Sequence, residues 1–126
     1  MDKTPHVCTW FELAAQDLDR AQKFYEALFP GALSRMTCDV AGEMVVFDAP
    51  AEAVKGGIVK AQGTHQPGSG AIVYLNGGAD LAVPLSRVEA AGGKVLLPKT
   101  ALPESWGFMA HIVDSEGNLV GLHSLS

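Results

Sequence analysis

The sequence predicts an α+β fold: two βαβββ modules side by side, forming a curved mixed sheet with a concave cup and helices on the convex side. Three observations predict it. One helix opens at Asp17-Leu18 and another at Asp80-Leu81, about 63 residues later. Each is preceded by one strand-like segment and followed by three. The breaker-rich stretch "GTHQPGSG", residues 63–70, separates the halves.

The first module covers about residues 6–62. Residues 6–14 contain Val7, Trp10, Phe11 and Leu13 without a helical period, which reads as a strand. Asp17 is the N-cap of a helix whose Leu18, Ala21, Phe24, Tyr25 and Leu28 fall on one face. Pro30-Gly31 ends it, because proline lacks a donor and glycine accepts left-handed geometry. "ALSRMTC", "EMVVFDA" and "GGIVKAQ" follow as three strands.

The second module covers about residues 71–126. "AIVYLN" is a strand, and "GGADLAVPLSRVEAAGG" is a helix capped by Asp80 and stopped by Gly92-Gly93. Leu81, Leu85 and Val88 share one face of it, and Pro84 is tolerable because it falls near the first turn. "KVLLP", "GFMAHIVD" and "LVGLHSL" supply three more strands. The segment "PKTALPESWG", 98–107, reads as a long loop of the kind that covers pockets, carrying Lys99, Glu104 and Trp106.

The totals narrow the function classes. The chain has 126 residues, 48% hydrophobic and 18% charged, which suits one domain with a real core. A net charge of −5 with scattered basic residues argues against nucleic acid or an anionic membrane surface as partner. No apolar run approaches the roughly 20 residues of a membrane span. The N-terminal "MDKTPHVCTWFEL" lacks the pattern of a signal peptide. The expectation is a cytoplasmic protein in which Cys8 and Cys38 are reduced thiols.

The hairpin "HIVDSEGNLVGLH", 111–123, decides which side chains share a face. An even loop would turn His111 and His123 to opposite sides. Asp114-Ser115-Glu116-Gly117 instead suits a type I turn followed by a left-handed glycine, which shifts pairing by one. Asp114 then pairs with Asn118, His111 with Gly121 and Met109 with His123, all of the last four on one face. On the first strand, alternation puts Cys8, Trp10, Glu12 and Ala14 on the face opposite Phe11 and Leu13.

"WFELAAQDLDRAQKFYEALF", "RVEAAGGKVLLPKT" and "DSEGNLVGLHS" resemble the vicinal oxygen chelate superfamily, which contains glyoxalase I, extradiol dioxygenases and bleomycin-resistance proteins. The resemblance covers nearly the whole chain. It implies ligand binding in the cup and assembly as a homodimer. It also implies four metal-ligand positions, on the first and last strand of each module. Here those positions match Trp10, the strand "GGIVK", Ile72 and Gly121, none of which offers a ligand. Catalytic zinc or iron needs about three good protein donors, so the family's metal site is expected to be absent.

The expected cup lining is Cys8, Trp10, Glu12, Tyr74, Met109, His111 and His123, with Trp106 over it. The leading reading is a protein that binds a small organic molecule without a cofactor. Trp10 and Tyr74 would stack on the ligand, with Glu12 and His111 as polar anchors. The alternative is an enzyme of lyase, isomerase or dioxygenase type. Glu12 and His111 would act as a metal-free acid/base pair, or His111, His123 and Glu12 would hold one divalent iron or zinc at a displaced position. A third reading is an interaction module whose cup is filled by its own side chains. Each residue also has a plainer role: packing for Trp10, an ion pair for Glu12, a hydrogen-bonded core position for His111, solvation for His123, an inert thiol for Cys8. Trp106 is either a lid anchor or a dimer contact. His6 and His65 are expected to take no part.

Overall fold

The structure is a computed structural model that describes residues 8, 10–38, 42–68, 70–103 and 105–126. His6, Val7 and Glu104 lie outside the described residues, as does the side chain of Cys38.

Two βαβββ modules are present. In the first, β1 (Trp10–Ala15) leads into α1 (Leu18–Leu28), then β2 (Leu33–Cys38), β3 (Gly42–Phe47) and β4 (Lys55–Lys60). In the second, β5 (Val73–Asn76) leads into α2 (Ala82–Leu85), then β6 (Lys94–Ala101), β7 (Phe108–Val113) and β8 (Leu119–Ser124). The strands form two four-stranded sheets, ordered β1-β4-β3-β2 and β5-β8-β7-β6, rather than one continuous sheet. In both, the first strand lies parallel to the last and the remaining pairs are antiparallel. β1 and β5 are therefore edge strands.

Local chemistry explains α1. The Asp17 carboxylate accepts the Arg20 N–H at 3.0 Å, as an N-cap does. Leu18, Ala21, Phe24, Tyr25 and Leu28 are buried, as their spacing predicts. At the other end Phe29 N–H bonds Tyr25 O, and Gly31 takes a φ of +77°. The helix packs on β2, β3 and β4. Its buried residues share one apolar core with Leu13, Ala15 and Ile58 of the first module and Leu75, Leu81, Val88, Ile112, Val120 and Leu122 of the second.

The second helix is shorter than its sequence suggests. Only Ala82–Leu85 is α-helical, and hydrogen-bonded turns carry the chain to Gly92. Pro84 has no N–H to give to the preceding turn, and bonds such as Arg87 N–H to Pro84 O and Val88 N–H to Leu85 O are of the tighter, three-residue type. The Asp80 carboxylate still accepts the Ala82 N–H at 2.9 Å, and Leu81, Pro84 and Val88 still face inward. β6 is correspondingly longer than expected and absorbs Pro98 to Ala101, so the loop after it spans only 102–107. Lys99, expected on a lid, is fixed on that strand by Asp80 at 2.9 Å and lies over the Phe108 ring.

The 111–123 hairpin has the bulged register. Asp114 N–H bonds Asn118 O, Gly117 has a φ of +95°, and His111 pairs with Gly121 and Met109 with His123. This turn also joins the modules. Glu116 Oε1 accepts the N–H groups of Gln16 and Asp17 at 2.8 and 2.9 Å, and its carboxylate takes a two-point bond from Arg20. Its side chain is fully covered. Burial by itself pushes this carboxyl up. Bonds from Arg20, Asp17 and Ser115, with the Arg20 charge, outweigh burial and hold it at about 2. Beside it, buried Asp114 accepts the Tyr25 hydroxyl at 2.8 Å. Asn118 bridges Asp114 to Ala14 O at the end of β1.

Candidate functional site

The latch through Glu116, Asp114 and Asn118 holds the modules together at one end of β1. Between the modules lies a cavity of about 980 Å³. Its walls come from β1, β5 and the connecting segment, including Trp10, Glu12, Ile72, Tyr74 and Asn76, with Phe29, Phe47 and Asn118. The lining is mostly apolar with a few polar groups, the composition of small-molecule sites.

An aromatic ring lies over a glycine in each module. In the first, the Trp10 indole lies over Gly57 of β4, with atoms 3.5 and 3.7 Å from where a Cβ would stand. Its Nε1–H donates to Glu12 Oε2 at 3.0 Å, two residues along the same face. In the second, the Tyr74 ring covers Gly121 of β8 so closely that any Cβ there would run into it. The Tyr74 hydroxyl reaches across Gly121 to His111 Nε2 on β7, at 2.7 Å. The absence of a side chain at Gly121 is what lets the ring lie flat between β5 and β7. Trp10 and Tyr74 remain 40% and 48% exposed, so each keeps an open face.

The structure distributes the expected site residues over two places. Cys8, Trp10, Glu12 and Tyr74 line the cavity. Met109, His111 and His123 lie half-buried on the face of the second sheet that carries Gly121 and Tyr74, and are not part of the cavity wall. Tyr74 is common to both. Trp106 is well exposed, and its carbonyl accepts a hydrogen bond from His123 Nε2 at 2.7 Å. That bond requires the proton on His123 Nε2, because a carbonyl only accepts. Cys8 is an exposed free thiol with a weak bond to Trp10 O. His65, expected to be idle, lies in the cavity wall. Glu12 and His111 thus have separate partners, an indole and a phenol, instead of facing one another. Sequence reasoning missed Phe29, Phe47 and Asn118, whose signal lies only in how the modules pack.

The donor set does not fit the metal site that the superfamily resemblance implies. Trp10 and Ile72 at two of its four positions carry no ligand atoms for zinc or iron, and the Tyr74 ring fills the space above a third, Gly121. Among the described residues, no three of His, Cys, Asp and Glu gather in a group that could hold a metal ion.

No family model matches the sequence. No curated protein matches it either. Solved structures do match. A glyoxalase/bleomycin resistance protein from a Streptomyces species is 25% identical, with a TM-score of 0.69 over 93% of this chain and 99% of that one. An antibiotic binding protein from the same source is 23% identical, with a TM-score of 0.69 over 99% and 100%. A glyoxalase/bleomycin resistance protein from Albidiferax ferrireducens is 17% identical, with a TM-score of 0.71 over 93% and 97%. No helix among the described residues is long and apolar enough to cross a membrane.

Proposed function

We propose that this chain, which has the fold of the vicinal oxygen chelate superfamily, is a binding protein for a small planar aromatic molecule held between its two modules. The observation that carries the reading is the pair of aromatic shelves. Trp10 and Tyr74 face one cavity of about 980 Å³ from two different sheets, each ring supported by a glycine and each tethered at its polar edge. A tethered ring loses little further freedom when a ligand stacks on it, which lowers the cost of binding. Glu12 gives the site an acceptor with lone pairs beyond the one taken by the indole. The antibiotic binding protein of the same fold supports the reading in kind.

The reading includes a second copy of the chain as partner. Trp10, Met36, Tyr74 and Trp106 are large apolar side chains left exposed, surface that a second copy could cover. Light scattering across a concentration series checks this: a single species of monomer mass throughout would remove the dimer.

Ligand binding is tested by fluorescence. The chain has two tryptophans, so Trp106→Phe leaves Trp10 as the reporter. Titration with phenazine, a neutral planar tricycle, should quench Trp10 saturably. Tyr74→Ala in that background should weaken binding by about tenfold, the value of one aromatic stacking contact of roughly 1–1.5 kcal/mol. Quenching that is linear and unaffected by Tyr74→Ala would count against the cleft as the site.

A further inference from the structure

We propose that Tyr74 and His111 form a proton-accepting pair that acts on planar aromatic ligands carrying an acidic C–H group. The proposal rests on the binding reading above and adds chemistry to it. Tyr74 both lines the cavity and pairs across the second sheet with Gly121, the partner of His111. The Tyr74 hydroxyl meets His111 Nε2 at 2.7 Å in an exposed hydrogen bond, at the rim of the ring that lines the cavity.

The geometry suits proton transfer for three reasons. The distance is that of a good hydrogen bond in the range general bases need. The pair is aligned by the backbone, since Tyr74, Gly121 and His111 are successive partners across β5, β8 and β7. The clearance at Gly121 is the condition for that alignment, because any side chain there would displace the ring. An orienting residue, a base and an open approach are the parts of an acid/base unit.

In the proposed step, the ligand's C–H proton passes to Tyr74 Oη as the phenol proton passes to His111 Nε2. The electron pair of the broken C–H bond stays on the ligand, and the proton gained resides on the imidazole. Reversal at a neighbouring atom of the ligand returns the proton and completes an isomerisation, with no oxidant or metal required. The step demands that the phenol donate to Nε2, so His111 must carry its own N–H on Nδ1. His123, which donates from Nε2 to Trp106 O, must be the opposite tautomer.

Two measurements test this. Nitrogen NMR of the histidines should show the Nδ1–H form for His111 and the Nε2–H form for His123. A His111 in the Nε2–H form overturns the proposal. The second uses nitrobenzisoxazole, a neutral planar bicycle. Removal of its C–H proton breaks its N–O bond and forms a nitrile and a coloured phenolate. Turnover should fall by about a hundredfold in His111→Gln and in Tyr74→Phe, with the double variant no slower than either. Quenching of Trp10 by the same compound should persist in His111→Gln. Turnover that survives Tyr74→Phe, or losses that add in the double variant, would sink the pair while leaving the binding site intact. Absent quenching in the parent protein would instead refute the binding reading.

Discussion

Replacing Glu116 by glutamine should destabilise the protein by about 2 kcal/mol at neutral pH, and the penalty should fade in acid. The carboxyl is held at about 2 against an ordinary value of 4.5. Every tenfold gain in acidity on folding is worth about 1.4 kcal/mol of stability, which sets a ceiling of about 3 kcal/mol. Arg20 is half exposed, and solvent screening reduces that figure to about 2. The sign follows from the direction. A carboxyl depressed by folding stabilises the native state fully above its unfolded value, and that contribution is lost as pH falls from about 4.5 toward 2. Glutamine lacks the charge at every pH, and it cannot satisfy the five donors that meet the carboxylate because its amide nitrogen is itself a donor. Urea unfolding followed by circular dichroism at pH 7 and near pH 3 measures the gap. Equal midpoints at pH 7, or a gap that does not shrink in acid, would refute the view that Glu116 anchors one module to the other.

Gly121→Ala should push the Tyr74 ring off β8 and break its bond to His111, at a cost of about 1–3 kcal/mol for overpacking. Loss of the nuclear Overhauser contacts between the two rings reads it out, and unchanged contacts would show that the ring does not depend on the glycine. Tyr25→Phe should cost about 1.5–3 kcal/mol, the value of a hydrogen bond to a charged group. Burial, then the charge of Asp114 and the bond to it, raise the Tyr25 hydroxyl well above 10. Its unfolded form ionises first, so wild-type stability should decline as pH rises past about 10, and the Phe variant should lack this tyrosine's share of the decline.

Much of this fold is legible residue by residue. Asp17 announces α1 because a short carboxylate before an apolar-periodic run has one good use, capping the first turn. The hairpin register follows from Gly117, since the turn needs a residue tolerant of positive φ at that point. The register in turn places His111, Gly121, Met109 and His123 on one face. Helix α2 is harder to read, because the apolar spacing from Leu81 to Val88 is equally compatible with an α-helix and with a chain of tighter turns around Pro84. The cavity is not legible at all. It depends on how the modules meet, through a shared core and through Glu116, which looks like an ordinary solvated turn residue but reaches the backbone of Gln16 and Asp17 in the other module. Single-strand alternation shows which way Trp10 and Tyr74 point, but not how two sheets stand to each other.

The walls of the cleft are edge strands of two separate sheets, joined elsewhere by a turn and by a shared apolar core. Its gape and its lining are consequently set by largely different residues, with Asn118 common to both. Substitutions along β1 and β5 can change what is recognised, while substitutions at Asp114 and Glu116, which lie outside the cavity wall, can alter how the modules meet. A lineage using this architecture can acquire a new ligand through the chemistry of the jaws or through the distance between them.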